Sequence, residues 1–439
     1  MRRWRLPVLL ITAALVASGC GGGPADDPAT ISVSYHRYGN STQVDALMQR
    51  VKQQYEQAHP GKRVRLDPVV APEGEYLSKL QLRMRSASTA PDVLYEDSFT
   101  INSDVEAGYL APLDERLAAW PDWDRFIDTT KQAGRAADGR TYGVPLDTDS
   151  RGIWFNRDLF VRAGLPADWE PRGWDDVLAA ARQVTQRFPD VIGLDLPLGK
   201  AEGEAVSMQT VEMLLYGTET GTLHDGEWIA PSRGMTEALE FLSTAVGEGL
   251  TQSRAQIADA QYDKKLRDDL TRQGRVAMRL DGSFASGQWE AAGWRDWSST
   301  MAAAPMPTKE GPGTVSMSGG WTLALSASGE KQDDAFEFVK LAMSRDNITE
   351  YALSSGNLPS REDSAADPRL TAANPLAAFW LGLLEETHFR PTLPEYPKVS
   401  EEIQQSVLEV VNGADPAEVS DRWAEQVRRI VGPDQVRSG

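Results

Sequence analysis

The sequence predicts an α/β fold of mostly parallel sheets flanked by helices, and three observations lead there. From Thr30 to Asp97 the patterns run strand, helix, strand, helix, strand, an order that joins parallel neighbours through right-handed crossovers. A second series of the same kind starts near Tyr142. Of 439 residues, 420 remain once residues 1–19 are set aside as an export segment, enough for two or more packed lobes.

The elements follow in order. "TISVSY" (Thr30 to Tyr35) alternates as a strand. The next stretch sets Val44, Leu47, Met48, Val51 and Tyr55 on one helical face, with Ser41 or Thr42 as the cap. "KRVRLDPV" predicts a second strand, "EYLSKLQLRMRSAS" a second helix and "PDVLYED" a third strand. In the later series, "WDDVLAAARQVTQRF" aligns Val177, Leu178, Ala181 and Val184 on a helix, and "MTEALEFLSTAVGEG" and "DDAFEFVKLAM" are helical. "GRVAMRLDGSF" is a strand ending at Asp281-Gly282, and "SMSGGWTLALS" contains another. Ligands of open parallel sheets lie beyond the carboxyl ends of the strands. Here those ends are Tyr35 to Ser41, Val70 to Tyr76 and Tyr95 to Thr100.

The N-terminus explains the one cysteine. Arg2, Arg3 and Arg5 precede the apolar run Leu6 to Ala17, then small residues lead to Cys20. A basic head, an apolar middle and small residues make a secretory signal, and a dozen apolar residues fall short of the roughly 20 that span a bilayer. Because the small residues end on Cys20, the segment resembles a bacterial lipoprotein signal, in which that cysteine becomes the acylated N-terminus. Residues 20–29 ("CGGGPADDPA") then read as a flexible tether. The predicted location is the extracellular face of the cell membrane, held there by lipid.

Composition narrows the function. The formal charge of −19 becomes −22 when residues 1–19 and their three arginines leave, which opposes binding to nucleic acid and other polyanions. With Cys20 acylated, no thiol is left for a disulfide. The four histidines (His36, His59, His224, His388) lack metal-ligand spacing, and there is no G-x-S-x-G, Walker loop or G-x-G-x-x-G. A binder is favoured over an enzyme, and no cofactor is expected.

Five segments, in order, resemble the extracellular solute-binding proteins of ABC sugar importers, the group that includes maltose-binding protein. They are "APDVLYED…EAGYLAPLDERL" (Ala90 to Leu117), "DGRTYGVPLDTDSRGIWFNRDLFVRAGL" (Asp138 to Leu165), "GRVAMRLDGSF" (Gly274 to Phe284), "MSGGWTLALSA" (Met317 to Ala327) and "SSGNLPSRED" (Ser354 to Asp363). The resemblance implies two α/β lobes, residues 30–147 with 324–364 and residues 152–318 with 370–432, with a ligand cleft at the hinge. It implies a monomeric receptor that captures a sugar, a di- or oligosaccharide, and delivers it to permease subunits and their ATPase.

A pyranose needs flat rings against its C–H faces and charged partners for its hydroxyls. The 13 tryptophans exceed the 11 tyrosines and 11 phenylalanines, so some are expected to line the cleft. On the resemblance, Trp321 with Gly320 beside it, and Phe284, stand where family members stack a sugar. Asp149 takes the acidic ligand position, with Asp147 and Arg151 on the same alternating face. Asp97 follows the third strand, where the family keeps an acid for hydroxyls, and Asp281 is a further acceptor. Glu75 and Tyr76 at a helix start, and Tyr38 and Asn40 after the first strand, are rim contacts. Glu204 corresponds to another acidic contact, and Arg390 in "THFRPTLPEYPKVSEEIQQSV" stands at the mouth of the cleft. The same residues admit structural roles: Trp321 as core, Asp281 as a turn residue, Arg390 as the partner of neighbouring acids. Two other ligand classes stay open in this fold, glycerophosphodiesters and polyamines, and outside it a surface-tethered glycoside hydrolase.

Overall fold

The computed structural model describes residues 29–37, 42–71, 73–224, 226–266, 270–391 and 393–439. Cys20, the export segment, nearly all of the tether, Tyr38 and Asn40 lie outside the described residues.

Two main sheets organise the chain. In the first, the order is Arg63–Val70, Thr30–Arg37, Val93–Asp97, Trp321–Leu325, Gly143–Pro145. Its first three strands are parallel, as the strand–helix alternation predicts. In the second, the order is Met301–Ala304, Arg151–Asn156, Val276–Gly282, Ile192–Asp195. Each sheet contains one strand that opposes its neighbours: Trp321–Leu325 in the first and Arg151–Asn156 in the second. These reversed strands carry the chain across from the other lobe. A strand entering from the hinge starts at the cleft and runs away from it, whereas the others end there. Asp97 therefore sits opposite Trp321, and Gly282 opposite Arg151.

The helical faces read from the sequence are the buried ones. Gln43–Ala58 buries Leu47, Met48, Val51 and Tyr55, and Trp174–Arg187 buries Val177, Leu178, Ala181 and Val184. Thr42 is the residue before the first helix, but its side chain makes no capping bond. One core joins that helix to Val33, Leu323 and Phe338. A larger one joins Phe155, Leu214, Met278, Val407 and Trp423 in the second lobe.

A third cluster corrects the expectation for the tryptophans. Trp154 lies 4.8 Å from Trp289, 5.6 Å from Trp297 and 4.9 Å from Trp380, and Trp294 packs on Trp289. Nine of the twelve described tryptophans are buried, leaving Trp120, Trp123 and Trp321 partly exposed. The excess of indoles fills the second lobe rather than lining the cleft.

The hinge is stitched by short polar contacts. Asp147–Thr148 pairs antiparallel with Leu358–Pro359. Thr148 Oγ1 and Ser318 Oγ are 2.7 Å apart, and Ser150 Oγ donates to the Trp380 carbonyl at 2.7 Å. Gly320 turns the chain at φ +125°, and a Cβ there would meet the Asp147 carbonyl oxygen at 2.7 Å. Only glycine takes both the angle and the approach.

Candidate functional site

Because the reversed strands begin where their neighbours end, one small region collects side chains from both lobes and the hinge. Its floor in the first lobe is aromatic. The Trp321 ring stacks on Tyr95, with 3° between the ring planes and 4.4 Å between centroids. Tyr76 and His36 pack at 6.0 and 5.7 Å from the same indole. Trp321 remains partly exposed, so the ring offers a flat surface backed by other rings.

Acids stand at the edge of that surface. Asp97 Oδ1 accepts from the Phe99 amide at 2.9 Å and from Arg390 Nη2 at 3.0 Å. Its Oδ2 has no hydrogen-bond partner among the described residues. Arg390 also donates through Nη1 to Glu204 Oε2 at 2.5 Å, with its guanidinium 4.7 Å from the centre of the Phe99 ring. Glu204 further accepts from the Tyr396 hydroxyl at 3.3 Å and Ser400 Oγ at 3.2 Å. The chain Asp97–Arg390–Glu204 thus runs from the first lobe into the second. The lobes also face each other across a crevice lined by Phe99, Ser103, Pro391 and Tyr396.

The hinge supplies a second charged group. Asp149 Oδ2 accepts from Arg151 Nε at 2.9 Å, and its Oδ1 accepts from the Gly319 amide at 2.7 Å. Asp147 accepts from the Trp321 amide at 3.0 Å and from Asn357 Nδ2. Burial outweighs those bonds and pushes the Asp147 carboxyl up to about 6. Asp147 therefore holds Trp321 in place, and Asn357 ties its own loop to the same carboxylate.

Buried acids surround the region. Glu96 is buried beside Asp104, and burial raises both carboxyls, that of Asp104 to about 6. Below Glu204, burial raises Glu212 to about 7, although the Tyr396 hydroxyl donates to it at 2.7 Å. Burial lowers His36, which favours a neutral ring.

Several expected site residues lie elsewhere. Tyr76 is not at a rim: it is fully buried and its hydroxyl donates to the Tyr95 carbonyl at 2.6 Å, under the Trp321 floor. Glu75, the next residue back, turns outward and pairs with Lys79 at 2.7 Å. Asp281 is neither a cleft acceptor nor a plain turn residue. It is buried and accepts from Arg279 Nε at 2.6 Å, in a group where Arg279 also binds Asp195 and Asp263. Phe284, by contrast, stays near the site: partly exposed, it folds back over Gly282, the residue paired with Arg151, where a Cβ would strike its ring at 2.2 Å.

The structure brings together Trp321, Gly320, Asp97, Arg390, Glu204, Asp149, Arg151 and Asp147. Sequence reasoning missed Tyr95, Phe99 and Gly319. A Cβ on Gly319 would lie 3.5 Å from Arg151 Nη2, 3.7 Å from Asp149 Oδ1 and 3.9 Å from Arg390 Nη2, so this bare position is where the charged groups converge. The glycine pair before Trp321 was its only signal. Among the described residues no group of three His, Cys, Asp or Glu could hold a metal ion, and no helix is long and apolar enough to cross a membrane.

A reversed strand in each of two sheets, with the site where they meet the hinge, defines a two-lobed binding protein. The chain belongs to the bacterial extracellular solute-binding proteins, whose family pattern it matches over residues 38–348. A Brucella abortus protein named only as a binding protein is 26% identical over 406 residues, 91% of this chain and 92% of that one. Among solved structures, a solute-binding protein of an ABC transporter from Thermotoga lettingae, bound with alpha-D-tagatose, aligns with a TM-score of 0.78 at 24% identity, covering 92% of this chain and 100% of that one. UgpB of Mycobacterium tuberculosis, in complex with glycerophosphocholine, aligns with a TM-score of 0.77 at 18% identity, covering 94% and 100%. At these identities the structures share the fold with this chain.

Proposed function

We propose that this solute-binding protein captures a sugar, a di- or oligosaccharide, outside the cell and delivers it to the permease of an ABC importer. Lipid on Cys20 would hold it at the membrane. One observation carries the reading: the partly exposed Trp321 ring, backed by Tyr95, lies directly across the strand pair from Asp97, whose Oδ2 has no hydrogen-bond partner among the described residues. A flat apolar face with a carboxylate at its edge suits a pyranose, which presents C–H groups and hydroxyl donors side by side. Residues from both lobes surround this point, so a bound ligand would favour the closed arrangement by contacting both halves at once.

A thermal-shift screen of the mature protein against mono- and oligosaccharides tests this. A rise in melting temperature with at least one sugar is expected, and no shift with any of a broad panel would refute the carbohydrate assignment. Glycerophosphodiesters form the second reading, favoured by the two arginines and by the ligand of the UgpB neighbour. Three acids, Asp97, Asp149 and Glu204, outnumber Arg151 and Arg390 and oppose an added phosphate charge. Polyamines would suit the acids but leave the arginine donors facing a cation. A hydrolase would turn over chromogenic glycosides, and the family is one of binding proteins.

A further inference from the structure

Arg151 is charged, almost wholly buried and only half used. Its side chain is 11% exposed, and among the described residues its one side-chain partner is Asp149, reached through Nε at 2.9 Å. Neither terminal nitrogen, Nη1 nor Nη2, has a hydrogen-bond partner among the described residues. Arg151 opens its strand opposite Gly282, and its amide donates to Ser316 Oγ at 2.9 Å. The two nitrogens are not sealed off: the exposed remnant of the side chain lets solvent or a ligand reach them, so their acceptors come from outside the protein.

The free edge of a guanidinium presents two parallel N–H donors in a rigid fork, which matches two oxygens held side by side. A carboxylate offers that pair, and so do neighbouring hydroxyls on a sugar ring. Charge decides between them. Asp149 already cancels Arg151, and Arg390 is shared by Asp97 and Glu204, so these five groups together carry a surplus of one negative charge. A second carboxylate would add repulsion in a water-poor region, where charges are felt most strongly. Gly319, with no side chain, keeps the space beside Arg151 Nη2 and Arg390 Nη2 open.

We infer that Arg151, neutralised and held by Asp149, is the specificity-determining donor that grips two adjacent hydroxyl oxygens of the ligand. The site thereby takes uncharged sugar ends and rejects the corresponding uronic acids. This rests on the carbohydrate reading and makes it narrower.

The test is calorimetric titration of the mature protein with a neutral sugar that shifts its melting temperature, and with the matching uronic acid. The wild-type protein is expected to bind the neutral sugar at least tenfold more tightly. Arg151→Gln is expected to weaken that binding at least tenfold while the ligand-free protein still melts cooperatively. Arg151→Lys, which keeps the charge and the packing stem, serves if the glutamine variant does not fold, and is expected to lose affinity too because an ammonium lacks the fork. In Asp149→Asn the preference over the uronic acid is expected to narrow. Uronic acid binding as tightly as the neutral sugar overturns the inference, and so does undiminished binding by the Arg151 variants. Those results leave the carbohydrate reading standing, whereas a wild-type protein that binds no sugar removes both.

Discussion

Asp97 and Trp321 face each other across a single strand pair, and the proposed contact with ligand divides between them. Trp321→Ala removes the stacking surface and is expected to weaken sugar binding by tenfold or more, about 1.4 kcal/mol, in a calorimetric titration. It also uncovers Tyr95 and Tyr76, so a fall in melting temperature should accompany it. At this scale the sequence was only partly legible. It placed acids and rings near the ends of strands, but not which way they pointed. Glu75 and Tyr76 are consecutive on one helix, where successive side chains diverge by about 100°, so one faces water and the other the sheet. Only the docking angle of the helix decides which. Asp281 failed for another reason: its strand, Val276–Gly282, is buried on both faces, so alternation does not separate the cleft side from the side that Arg279 fills.

The hinge strands are the elements on which the site depends. Gly320→Ala would put a Cβ at 2.7 Å from the Asp147 carbonyl oxygen at a φ of +125°, and is expected to cost about 1–3 kcal/mol in chemical denaturation. The strand–helix alternation of the first lobe was legible because each helix has a strongly apolar face and each strand a short β-rich run. The reversal of Arg151–Asn156 and Trp321–Leu325 was not. Strand direction is set by which lobe the chain arrives from, and local pattern does not encode it. The tryptophans erred similarly: Trp154, Trp289, Trp297 and Trp380 lie in three separate sequence regions and meet only in the folded second lobe.

Across the whole molecule, two predictions concern how the lobes and their buried acids respond to conditions. Arg390→Gln leaves Asp97 and Glu204 without their shared cation in a buried setting. Because those carboxylates belong to different lobes, they regain water if the lobes part, so small-angle scattering of the ligand-free variant should show a larger radius of gyration than wild type. The second prediction concerns pH. Asp104 and Asp147 are raised to about 6 and Glu212 to about 7, each chiefly by burial. Between about pH 4, where unfolded carboxyls titrate, and these values the folded protein holds protons that the unfolded chain has released. Stability from these groups is complete at the acidic end and is lost as pH rises through the window. The melting temperature is therefore expected to be higher at pH 5.5 than at pH 8, as calorimetry would read it, and Glu212→Gln should flatten the difference.

The packing of the indoles sets what a spectrometer would see. Nine tryptophans are sealed from water, and their emission should be blue-shifted and indifferent to added solute. Of the three partly exposed indoles described, Trp120, Trp123 and Trp321, only Trp321 stands among the converging acids and arginines. A small quench or shift on titration, absent in Trp321→Phe, would make it a built-in reporter of occupancy that needs no dye.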